Sequence, residues 1–159
     1  MRIIGGKSKG KKINLPIDIK TRPLRDLVKE SIFNLIEHSN KFNVSILNSN
    51  ILDLFSGTGS FGLECYSRGA RFITFVESYP EALSILKKNI IVLRATKSSQ
   101  VIENNCFEYF ELDKKSKDKF DIIFLDPPYK ESKLNYLIDK IKDNKLLVDN
   151  GIIIIHRHK

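Results

Sequence analysis

The sequence predicts an α/β domain with a doubly wound, largely parallel sheet. Three observations carry that expectation. Short runs of β-forming residues, at Ile51–Leu54, Arg71–Val76 and Ile122–Leu125, alternate with longer stretches whose apolar positions recur at helical spacing. The strand runs are apolar at nearly every position, as strands covered on both faces must be. With 159 residues, 42% hydrophobic and 29% charged, the chain can build one domain around an ordinary core.

Residues 1–38 read as a basic hairpin followed by an amphipathic helix, and residues 39–159 as the core of what should be one compact domain. The opening Arg2-Ile-Ile-Gly-Gly6 and the lysines after it are punctuated by glycine, which favours a hairpin or loop over a helix. From Thr21 to Ile36 the positions Val28, Ile32, Leu35 and Ile36 share one helical face, with Lys29 and Glu30 pointing elsewhere. Pro23 suits the first turn. Residues 39–50, rich in Ser and Asn, read as a loop into the sheet.

Ile51–Leu54 is the first core strand. It runs into Ser56-Gly57-Thr58-Gly59-Ser60-Phe61-Gly62, a glycine-rich turn that opens a helix over 61–68. Gly57 and Gly59 allow close backbone approach to a ligand, and amides at a helix start face polar or anionic groups. The next strand, Arg71–Val76, ends at Glu77, about 20 positions past the first glycine, where a carboxylate suits a ribose diol. Adenosylmethionine and NAD both carry such a diol, so at this point a dinucleotide site competes. A helix over Pro80–Leu93 turns Leu83, Leu86, Ile90 and Leu93 inward. Ser99–Glu103 is a short third strand, followed by Asn105-Cys106, where a side-chain amide and the next backbone N–H can read an adenine edge. Without that context the segment reads as a loop, and 111–119 as a charged link.

The most informative stretch is the fourth strand, Ile122–Leu125, which stops on Asp126-Pro127-Pro128-Tyr129. Two prolines end the ladder and stiffen the exit, so a carboxylate, a donor-free carbonyl and an aromatic ring are fixed at the carboxyl end of a central strand. The amine of a nucleobase is a poor nucleophile because its lone pair is delocalised into the ring. Accepting its two N–H groups on the Asp126 side chain and the Pro127 carbonyl favours a tetrahedral nitrogen, the geometry of methyl transfer. Tyr129 then stacks on the base. The bland alternative is a strand-ending turn. A helix over 131–142 and a fifth strand, Gly151–Ile155, follow. His156 and His158 lack an evident third metal ligand and read as a surface tail.

Net charge is +8, from 27 Lys and Arg against 19 Asp and Glu. It is uneven: residues 1–30 hold nine basic and three acidic side chains, a local excess of six. Arg2, Lys7, Lys9, Lys11 and Lys12 are placed to follow a phosphate backbone, and Arg22 and Arg25 extend the basic stretch; a solvated basic surface is the alternative. Cys65 and Cys106 form no disulfide framework, and neither a signal peptide nor a membrane-length apolar run is present. A reducing cytoplasm, a monomer and no bound metal are the expectations.

With these residues placed, the chain resembles the bacterial 16S ribosomal RNA guanine-N2 methyltransferases, which are Rossmann-like class I enzymes. The residues that carry the resemblance are Arg2–Gly6, Arg22-Pro23, Asp26, Glu30–Asn34, Asp53–Gly59, Gly62-Leu-Glu64, Glu77 and Asp126–Tyr129. The resemblance implies S-adenosyl-L-methionine held at Asp53, Phe55, Ser56, Gly57 and Gly59, with Glu77 on its ribose and Asn105 and Cys106 at its adenine. It implies that Asp126, Pro127, Pro128 and Tyr129 grip the guanine amine, and that the partner is ribosomal RNA or a small-subunit assembly intermediate. The sequence departs from the family pattern at Leu24 and Arg25, where Thr is common, and at Lys29, where Arg is usual. The family also implies a further C-terminal hairpin beyond Lys159, so the sequence reads either as a fragment or as a short member. Three readings remain as competitors: methylation of a DNA adenine or cytosine amine, NAD-dependent oxidoreduction, and RNA binding without catalysis.

Overall fold

The structure is a computed structural model that describes residues 1–16, 24–112 and 118–157. The core strands are β1 (Asn50–Leu54), β2 (Phe72–Glu77), β3 (Ser99–Glu103), β4 (Phe120–Leu125) and β5 (Leu147–Ile155). They form one sheet in the order β3-β2-β1-β4-β5, with every neighbouring pair parallel. Among the described residues five helices connect or flank them: α1 (Asp26–His38), α2 (Ser60–Ser67), α3 (Pro80–Val92), α4 (Cys106–Leu112) and α5 (Leu134–Asp143). The doubly wound sheet expected from the alternation of strands and helices is therefore present.

Side-chain alternation along the strands builds two cores. Ile51, Ile73, Phe75, Ile122 and Phe124 face one side, where they meet Phe33 and Ile36 of α1, Phe61 and Leu63 of α2, and Leu86 and Ile90 of α3. Leu52, Leu54, Val76, Ile123 and Leu125 face the other, against Tyr109 and Phe110 of α4 and Leu137 and Ile141 of α5. On the first side three rings are in series: Phe61 stacks on Phe124 at 4.0 Å and on Phe33 at 5.3 Å between centroids. Gly62 is required here for space, because a Cβ at that position would run into the Phe75 ring. The third glycine of the turn thus serves helix–sheet packing.

Residues 1–13 close on themselves around a single antiparallel bridge, Arg2 to Lys12, with a 3-10 turn at Gly6–Ser8. The loop is fastened to α2 by the Ser67 hydroxyl, which accepts the Ser8 amide and donates to the Gly5 carbonyl, and by a buried carboxylate. Glu64, fully buried, accepts the Ile4 and Gly5 amides at 2.9 and 2.7 Å and the Arg68 Nε at 3.1 Å. Arg68 passes the connection on to Glu37 of α1. Gly6 has φ +71°, and a side chain there would collide with the Ser67 carbonyl. Two parts of the sequence that read as separate signatures, Ile4-Gly5-Gly6 and Gly62-Leu-Glu64, are the two halves of this clip.

Lys29 overturns one expectation. The amphipathic pattern pointed it away from the core, yet it is fully buried. Its ammonium donates to the Arg2 carbonyl at 2.6 Å and lies 3.6 and 3.7 Å from Asp26 and Glu64. Burial lowers its pKa, and the Glu64 and Asp26 charges oppose that. Conversely Leu35, expected inward, is exposed, and Phe33 takes its place in the core. The inner face is turned toward Lys29, Phe33 and Ile36 because the buried ion pair, absent from any hydrophobic pattern, needs that position.

Candidate active site

The sheet order reverses between β1 and β4, the point at which open α/β sheets bind ligands outside the carboxyl ends of their strands. A cavity of about 680 Å³ lies there, lined among others by Asp53, Phe55–Thr58, Glu77, Asn105–Phe107 and Asp126–Tyr129. Four separate strand ends thus deliver their residues to one space. Leu54 pairs with Leu125 in register, so the glycine-rich turn and the Asp-Pro-Pro-Tyr exit leave the sheet side by side.

The turn after β1 is held in an unusual conformation by specific partners. Phe55, Gly57 and Gly59 all have positive φ, at 58°, 54° and 82°. A left-handed non-glycine residue such as Phe55 is strained unless its surroundings hold it. Here its amide donates to the Cys106 sulfur at 3.3 Å, and the Ser56 amide donates to the Val76 carbonyl. Glu77 accepts the Gly57 amide at 2.7 Å on one oxygen and the Ser78 and Tyr79 amides at 2.8 Å on the other. The carboxylate assigned to a ribose is therefore also the brace of the turn.

Asp53 is buried beneath the turn and accepts the Gly62 amide at 3.0 Å. Burial pushes its carboxyl up to about 8; the amide hydrogen bond opposes this, and the nearby Asp126 and Glu77 charges reinforce it. Cys106 is likewise buried, which pushes its thiol up to about 12. It is a packing and hydrogen-bonding thiol under these conditions. Asn105 immediately precedes α4, and its side-chain oxygen accepts the Phe107 amide at 2.9 Å. The segment expected as a loop is a capped helix start, and the Asn105 oxygen already holds a backbone donor.

Pro127 is buried, whereas Pro128 and Tyr129 are exposed; Tyr129 stands 71% accessible at the cavity mouth. The loop closes with the Glu131 amide donating to the Pro128 carbonyl at 2.8 Å. Asp126 is one-fifth exposed, and its Oδ1 is 2.7 Å from Nδ1 of His156. This corrects the reading of His156 as part of a surface tail: its ring is mostly buried and lies against Asp126, one of the residues that line the cavity. His158 lies outside the described residues. The signal that sequence reasoning missed is positional, since β5 pairs with β4 and delivers whatever follows Ile155 to the residue that follows Leu125.

Among the described residues, those expected to contact RNA lie on the N-terminal loop and at the start of α1. Lys7, Lys9, Lys11 and Lys12 are exposed on the N-terminal loop. The Lys7 ammonium lies 3.7 Å over the Tyr66 ring, and Arg2 is 3.4 Å from Asp26. Arg25 is exposed just before α1, and Arg22 lies outside the described residues. Among the described residues no cluster of His, Cys, Asp and Glu is placed to hold a metal ion, and no helix is long and apolar enough to cross a membrane.

Comparison with known proteins now has a geometry to attach to. A family model described as Conserved hypothetical protein 95 matches residues 1–159. The chain belongs to this family. It is 38% identical over 154 residues to the YlbH protein of Bacillus subtilis, covering 97% of this chain and 80% of that one. It is 31% identical over 155 residues to the ribosomal RNA small subunit methyltransferase D of Escherichia coli K12, covering 98% and 73%. The solved structure of the yhhF protein of Escherichia coli superimposes with a TM-score of 0.81 at 30% identity, covering 98% of this chain and 78% of the other. The fold is the Rossmann-like class I methyltransferase fold.

Proposed function

We propose that this protein transfers a methyl group from S-adenosyl-L-methionine to the exocyclic N2 amine of a guanine in 16S ribosomal RNA. One observation carries the reading: Asp126-Pro127-Pro128-Tyr129 and the turn residues Phe55–Thr58 line the same cavity at the β1/β4 switch point. The relatives named as ribosomal RNA small subunit methyltransferases support the substrate class. The residues present fit the methyl donor. The backbone of the turn comes close to the cavity, Glu77 offers carboxylate oxygens at the tip of β2, and Asp53 is a buried carboxyl that a nearby cation would relieve.

In this reading Phe55, Ser56, Gly57 and Gly59 cradle the donor, Glu77 accepts from its ribose, and Asn105 and Cys106 border its adenine. The donor supplies an electrophilic methyl group on a sulfonium. Asp126 and the Pro127 carbonyl accept the two N–H groups of the target amine, which localises the nitrogen lone pair and stabilises the positive charge that develops on it. Tyr129, exposed at the mouth, stacks on the base and sets its plane. After transfer the alkylated ammonium is strongly acidic and gives up its proton without a dedicated base. An RNA or small-subunit assembly intermediate, a cytoplasmic location and action as a monomer complete the reading.

The test is transfer of labelled methyl from adenosylmethionine to 16S RNA, free and in small-subunit particles, followed by nucleoside analysis. N2-methylguanosine is the expected product. Methyladenosine or methylcytidine would move the activity to another exocyclic amine, and no incorporation with NAD binding in its place would refute the reading.

A further inference from the structure

Resting on that reading, we propose that His156 is the positioning residue for Asp126: its Nδ1–H holds the carboxylate in the orientation in which it meets the target amine. An ionised aspartate only accepts hydrogen bonds, so the 2.7 Å contact between Nδ1 and Oδ1 puts the proton on Nδ1. The imidazole is itself fixed in place. The His156 amide donates to the carbonyl of Leu125, the last residue of β4, at 2.9 Å, continuing the ladder one residue past the end of β5. Arg157 follows, its guanidinium donating to the Glu131 carbonyl at 3.3 Å, so the chain leaving β5 is tied to the exit loop of β4 at two points.

The chemistry gives a reason for such a tie. Asp126 sits where the sheet ends, one-fifth exposed, and its own amide is only 3.5 Å from the Leu54 carbonyl. An aspartate at such a position has rotamers to lose when substrate arrives, and a carboxylate that must reorient stabilises a developing charge less than one already aimed. A hydrogen bond to Oδ1 removes that freedom before binding. It also sets a charge requirement. A neutral imidazole orients Asp126 and leaves its charge intact, whereas an imidazolium would offset the charge the amine is meant to feel. The role resembles the aspartate–histidine pair of hydrolytic triads with the parts exchanged: the carboxylate works and the imidazole orients it.

The test uses the full chain with His156→Phe, which keeps a ring without a donor, and His156→Asn, whose amide N–H can occupy the place of Nδ1–H. At saturating adenosylmethionine and RNA, the single-turnover rate of His156→Phe should fall about 10–100-fold, the scale of one hydrogen bond to a charged group. His156→Asn should stay within about threefold of wild type because the donor is restored. Cofactor affinity by calorimetry should match wild type in both. A wild-type rate in the Phe variant, an equal loss in both variants, or a loss confined to cofactor or RNA affinity would overturn the positioning role. Should the Phe variant fold poorly, ¹⁵N spectra of the wild type decide: an Nδ1–H tautomer that is lost in Asp126→Ala supports the proposal, and an Nε2–H tautomer in wild type refutes it. A wild-type protein that transfers no methyl group would instead refute the function proposed above.

Discussion

Asp126 and Asp53 are both carboxyls of the same cavity, and the structure gives them different duties. Asp126 lies at the solvent margin with a histidine beside it. If its charge is used mainly as the amine becomes tetrahedral, its contribution appears in the rate more than in affinity. Asp126→Ala should lower the single-turnover rate by about 10²–10³ with cofactor and RNA affinities nearly unchanged, and Asp126→Asn should retain partial activity. A wild-type rate for Asp126→Ala would make the Asp-Pro-Pro turn purely structural. Asp53 is buried, with its carboxyl raised from 3.8 to about 8. Between those values the folded protein keeps a proton that the unfolded chain releases, so the folded state binds more protons and stability falls as pH rises. Thermal midpoints of the cofactor-free protein should therefore decline from about pH 4 to about pH 8 on account of this group. Asp53→Asn keeps an acceptor for the Gly62 amide and should flatten that part of the profile.

At the scale of elements, the clip between the N-terminal loop and α2 is the feature most open to a stability measurement. Glu64 receives two backbone amides and a guanidinium and faces a buried ammonium. Removing one partner of such a buried group leaves the others uncompensated, so Glu64→Ala should cost about 3–5 kcal/mol in denaturant unfolding. A loss near that of a surface salt bridge, under about 1 kcal/mol, would show that the clip is incidental. The same elements mark how far the sequence could be read. The strands were legible because β1, β2 and β4 are buried on both faces and read as nearly continuous apolar runs. The Asp-Pro-Pro-Tyr exit was legible because prolines state where a ladder stops. Lys29 was not, since nothing in a helical pattern announces that a charge has its partner on another helix. Nor was α4, seven residues long and aromatic, whose start depends on the Asn105 cap. His156 was hidden for a third reason: its partner is 30 residues away and is reached only through the β4–β5 register.

For the whole molecule the open quantity is where the polyanion lies relative to the cavity. Met1 approaches Ser60 at the first residue of α2, and Gly5 and Ser8 reach Ser67 at its last. The loop that bears the lysines therefore runs along α2 from the cavity end toward the far end of the sheet, a span of about 12 Å for eight helical residues. RNA held at the loop could extend along α2 toward a base held at the cavity, with backbone and shape contacts carrying the recognition. The lysines should not contribute equally. Lys7 rests on the Tyr66 ring, which already stabilises its charge, while Lys9, Lys11 and Lys12 are exposed. Replacing these three by glutamine should reduce the magnitude of the slope of log K against log salt by about 2, at roughly 0.7 per phosphate contact on a single strand. Adding Lys7→Gln should change the slope by less than any one of the others. Titrations of 16S RNA fragments at four or five salt concentrations would measure both. A slope identical to wild type in the triple variant would move the RNA off the N-terminal loop and leave that loop with its fastening to α2 as its sole duty.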